Sequence, residues 1–113
     1  MPLGRSHTLP SGIRVRLRPP RPGDFGPLAA LHTRLGMAVG DLELRRLLRV
    51  DPRRRLAITA TARTGGSETM VGFAAADHGA PPDALLADER NAPGIGRLLH
   101  RALREGVGGL RVA

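Results

Sequence analysis

The sequence predicts an α/β fold (α+β in the stricter sense), a mixed and mostly antiparallel sheet with helices on both faces. Three observations predict it. Residues 13–18 alternate apolar Ile13, Val15 and Leu17 with Arg14, Arg16 and Arg18, the two-residue period of a half-buried strand. Leu28, Leu31, His32 and Leu35, then Leu44, Leu47 and Leu48, recur at the spacing of helices that bury one face. Residues 84–103 pass from a short apolar run through an acidic pair and a Pro/Gly loop into a further leucine-rich helical pattern. That order reads strand, loop, helix N-terminus.

Each element has its own local signal. Residues 1–12 hold Pro2, Gly4, Pro10 and Gly12 and predict a flexible N-terminus ahead of a single domain over residues 13–113. Pro19-Pro20 ends the first strand, because neither ring continues a sheet ladder. Asp24 is placed to cap a helix whose first turn tolerates Pro27, since that position needs no N–H donor. Gly36 and Gly40 break the pattern, and Asp41 caps a second helix running to Leu48. After the Asp51-Pro52 turn, residues 55–61 read as a second strand. Gly65-Gly66-Ser67 marks a hairpin connection, and residues 69–76 read as a third strand. Gly106 predicts an early end to the last helix, and Leu110-Arg111-Val112 the start of a fifth strand.

The loop between residues 84–87 and the last helix carries the chemistry. The free N–H groups and positive dipole end of such a helix attract anions, phosphates above all, and Gly94 and Gly96 let a ligand approach the backbone. The P-loop is excluded because the chain has no Lys, and the dinucleotide fingerprint because Leu99 stands where its third Gly belongs. What remains, Asn91-Ala92-Pro93-Gly94-Ile95-Gly96 followed by Leu98, Leu99 and Leu103, resembles the acetyl-CoA motif of the GNAT acetyltransferases. Asn91 stands where the family has Arg or Gln, and Pro93 offers one donor fewer. Met70-Val71-Gly72-Phe73-Ala74 is similar to the family's third-strand signature, and the opening strand followed by Pro-Gly-Asp and a helix looks like its start.

The resemblance implies an N-acetyltransferase that moves an acetyl group from acetyl-CoA, its donor substrate, to a primary amine of a small molecule or protein. It implies a pyrophosphate held on backbone N–H groups of Asn91, Gly94, Ile95, Gly96 and Arg97, and a pantetheine arm paired with the backbone of Leu86 and Ala87. The chain covers about two-thirds of such a domain, so a non-catalytic or remnant acyl-CoA-binding domain is the alternative. Acetyl transfer needs a base and an acid. Asp88 and Glu89 lie beside the expected thioester but read as solvated loop carboxylates beside Arg90, and the chain has no Tyr to act as acid. The catalytic pair therefore stays unassigned.

Composition excludes other classes. The chain has 113 residues, no Cys and a formal net charge of +8 carried by arginine. Disulfides and thiolate metal sites are excluded, and His7, His32, His78 and His100 form no metal-type pair, so no metal is expected. No apolar run approaches the ~20 residues of a membrane span, and no secretory leader is evident, which makes the cytoplasm the expected location. With no Tyr or Trp and only two Phe, a base-stacking platform is poorly supplied and nucleic acid is disfavoured. An open strand edge beside the glycine loop predicts a homodimer or poor solubility.

Overall fold

The computed structural model describes residues 6–112. Five strands form one open sheet in the order β1-β2-β3-β4-β5: β1 Ser6–Thr8, β2 Arg14–Arg18, β3 Arg55–Thr64, β4 Ser67–Asp77 and β5 Ala84–Ala87. Every pairing is antiparallel, which corrects the expectation of a mixed sheet. Helices α1 (Phe25–Arg34) and α2 (Asp41–Leu48) follow β2, and α3 (Ile95–Val112) follows β5.

Strand alternation sorts the core into two layers. Val15, Leu17, Leu56, Ile58, Ala60 and Val71 point to one face and pack against Ile95, Leu98, Leu99 and Ala102 of α3. Ala57, Met70, Phe73 and Leu86 point to the other, against Leu28 and Leu31 of α1 and Leu44 of α2. Helices thus cover both faces, as the leucine periods predict. The β3–β4 hairpin closes on Gly65 and Gly66, both with positive φ (58° and 83°), the two-residue turn that the Gly-Gly pair favours.

Two expectations need correction. Ser6–Thr8, placed in the flexible terminus, pairs with Arg14–Arg16 as an edge strand, and Leu9 beyond it is buried; residues 1–5 lie outside the described residues. Residues 110–112, expected as a fifth strand, continue α3 instead. Gly106 does not stop that helix. A Cβ there would lie 2.7 Å from Leu56 Cδ2, so the missing side chain lets α3 pass over β3.

Asp24 also has a different task from the one its position suggests. Its side chain makes no capping hydrogen bond to α1. It is buried, and both oxygens accept from the Arg18 guanidinium (2.8 and 2.7 Å), with the Arg21 N–H as a third donor at 2.7 Å. A short polar residue before a helix signals a cap, but a guanidinium six positions away is the stronger partner.

Candidate functional site

The site is built where β5 leaves the sheet. β4 carries a bulge at Val71, so that Gly72 stands opposite Ala60 while Met70 stands opposite Thr61. The Val71 carbonyl accepts from the Asp88 N–H at 2.9 Å, and the Met70 carbonyl accepts from Arg34 Nη2. Gly72 itself faces α3: a Cβ there would lie 2.6 Å from Leu99 Cδ1 and 3.2 Å from Ile95 Cγ1. The glycine of the Val-Gly-Phe run thus sets how closely the N-terminal half of α3 sits on the sheet.

Asp88 is buried rather than solvated. Its carboxylate accepts from Arg34 Nε (3.1 Å), the Asn91 amide (2.8 Å) and the Asn91 N–H (3.3 Å), while its carbonyl accepts from the Ala92 N–H at 2.9 Å. Burial works against its ionisation, but the Asn91 amide and Arg34 overcome that and hold its pKa below the usual carboxylate range. Asp88 is therefore the anchor of the loop and is poorly placed to take up a proton. Arg34, at the last position of α1, went unnoticed in the sequence because its partner lies 54 residues away.

Glu89 is exposed, and its carboxylate turns back onto the start of α3. It accepts from the Gly94 N–H at 3.0 Å and the Gly96 N–H at 2.6 Å. Gly94 has φ +97°, the left-handed conformation that favours glycine, and its N–H meets one oxygen of the carboxylate whose other oxygen takes the Gly96 N–H. A Cβ on Gly96 would meet Glu89 Oε2 at 3.1 Å. The loop is thus an anion receptor, and here the anion is the chain's own side chain.

The other candidate residues are placed less uniformly. The Asn91 N–H is directed at Asp88, and the Ile95 N–H at the Ala92 carbonyl (3.0 Å), with the Ile95 side chain buried. Arg97 is exposed and lines a cleft of about 570 Å³ together with His7, Pro10, Glu89, Gly94 and Arg101. Leu86 pairs with Phe73 and buries its side chain towards α1, whereas Ala87 pairs with Gly72 and packs on the α3 side. Because the Asp88 N–H points at β4, backbone alternation turns the Ala87 N–H towards the open edge of the sheet and that of Leu86 inwards. His100 is exposed on α3.

A second cleft, of about 690 Å³, lies on the α1/α2 side of β5. It is lined by Met37, Glu43, Arg46, Arg55, Leu85 and others, and Met37 and Leu85 are half exposed there. Arg55 is tied to Asp83 and to Asp77 (3.1 Å). The two clefts therefore lie apart: the first sits between β1 and the start of α3, and the second beside β5 on the α1/α2 face. Among the described residues no group of three His, Asp or Glu side chains is gathered as for a metal, and no helix is long and apolar enough to cross a membrane.

The carboxylates make stability depend on pH. Burial opposes the ionisation of Asp24, but Arg18 and the Arg21 N–H hold it below the usual range, and Arg55 holds Asp83 down in the same sense. Such groups bind fewer protons folded than unfolded. Their contribution is complete above the unfolded value of about 4 and is lost as pH falls through the lower folded values. Thermal melts between pH 6 and pH 2.5 are expected to show a steep acid limb, shallower in Asp88→Asn. Identical limbs for the two proteins would contradict the role given to Asp88.

No protein-family model, curated protein or solved structure matches the chain.

Proposed function

We propose that this domain binds acetyl-CoA and acts as an N-acetyltransferase on a primary amine. The observation that carries the reading is the convergence of the Gly94 and Gly96 N–H groups on a single carboxylate at the head of an 18-residue helix. Two backbone donors aimed at one anion, at the positive end of a long helix, suit a pyrophosphate oxygen pair. Arg97 and Arg101, one turn apart on α3, line the same cleft and supply cationic charge. The open edge of β5, with the Ala87 N–H turned outwards, suits an extended pantetheine arm added like a strand.

On this reading the thioester emerges at the β5 edge and the amine enters from the α1/α2 side, where Glu43 lines the second cleft. The amine nitrogen attacks the thioester carbonyl carbon, the C–S bond breaks, and the amine proton is lost as the thiolate leaves. No described side chain is assigned as base or acid, because Asp88 is held ionised by three donors and Glu89 is engaged with the loop. That commitment, with the absence of Tyr, favours a second reading in which acyl-CoA is bound without transfer. Detection of acetylated amine by mass spectrometry, above the rate in buffer, decides between them. The cytoplasm, where acetyl-CoA is made available to soluble enzymes, is the compartment this reading places it in.

Isothermal titration tests the binding. Acetyl-CoA is expected to bind, and acetyl-pantetheine, which lacks the pyrophosphate, to bind at least tenfold more weakly, because the two glycine donors pass from Glu89 to the pyrophosphate rather than being newly satisfied. Failure of acetyl-CoA to bind the folded protein overturns the reading. The contrast between ligands is preferable to Gly94→Glu, because a side chain at φ +97° with Pro10 3.2 Å from its Cβ perturbs the loop directly.

A further inference from the structure

We infer that Glu89 is an internal plug of the anion site, a carboxylate that an incoming pyrophosphate must displace. The inference rests on the reading of the loop given above and adds its regulation. Each donor that the glycines free for a ligand is already used: Gly94 N–H and Gly96 N–H both end on Glu89. The plug reaches back from only five and seven positions away, so one short loop holds both lock and latch. Its side chain is exposed, so it leaves by rotating into solvent without moving the backbone.

The charges around the cleft set the direction of the exchange. Arg97 and Arg101 line it beside Glu89, and a pyrophosphate brings more negative charge to the same donors than one carboxylate does. Weak anions with a single charge are thereby excluded, while a ligand carrying a pyrophosphate competes. Glu89 acts as a threshold on ligand charge.

The experiment is titration of ADP and of acetyl-CoA into wild type, Glu89→Gln and Glu89→Asp, with amide shifts of Gly94 and Gly96 recorded by NMR. Glu89→Gln removes the charge and is expected to bind both ligands at least tenfold more tightly than wild type. Glu89→Asp keeps the charge, has a shorter reach across the two donors, and is expected to fall between them. In every protein, binding is expected to shift both glycine amides. Equal or weaker binding by Glu89→Gln, with wild type still binding at those amides, removes the plug and leaves the pyrophosphate reading standing; Glu89 is then a helix cap alone. Absence of binding by all three proteins, each melting cooperatively, removes the pyrophosphate reading and the plug with it. Binding that leaves the glycine amides unmoved has the same consequence.

Discussion

Leu99→Ala is expected to lose about 2–5 kcal/mol of stability, the range for truncating a buried leucine in a core that cannot collapse around the gap. Leu99 is fully buried on α3, and its Cδ1 occupies the space that a side chain on Gly72 would need, 2.6 Å from the position of that Cβ. For a chain of this size the loss lowers the melting temperature by roughly 10 °C or more. The reciprocal change, Gly72→Ala, forces a methyl into the same space and costs about 1–3 kcal/mol. Combined, the two changes relieve each other, so the double variant is expected to be more stable than the sum of the single losses predicts, by on the order of 1 kcal/mol. Denaturant unfolding of the four proteins of this cycle measures the coupling. Strict additivity would show that β4 and α3 do not meet at this point.

Arg34→Ala carries the second large effect. It removes the guanidinium from a buried carboxylate and from the Met70 carbonyl at once. Asp88 keeps its two Asn91 donors, so the expected loss is about 2–4 kcal/mol rather than the full cost of an unpaired buried charge. Asp88→Asn in the Arg34→Ala background takes away the stranded charge and is expected to restore part of the loss. Urea unfolding at pH 7 checks both statements. If the added Asp88→Asn change deepens the loss, the ion pair is not what stabilises this corner.

The parts of the fold that could be read from the sequence are those with a local cause. The alternation at residues 13–18, the leucine spacing in α1 and α2, the Gly65-Gly66 turn and the strand-loop-helix passage into α3 each follow from neighbouring residues. β1 carries no local signal, because three polar residues set between Gly4 and Pro10 have no period; only pairing with β2 makes them a strand. Gly106 was misread because a glycine inside a helix looks like a stop until the close approach of Leu56 is known. At the site, the glycines and the helix start were legible, whereas the roles of Asp88 and Glu89 were not. A carboxylate beside an arginine in sequence reads as solvated, and nothing local announces that Arg34 or the Gly96 N–H will claim it.

The walls of the glycine loop come from distant parts of the chain. Pro10, just beyond β1, lines the same cleft as Gly94 more than eighty positions later and would lie 3.2 Å from a Cβ there, and Arg34 of α1 fastens the end of β5 from the other side. Both join residues more than fifty positions apart in the chain. A ligand held by this loop, as proposed above, would bind only the folded molecule. By mass action its binding free energy is added to the stability of every element at once, strands far from the cleft included.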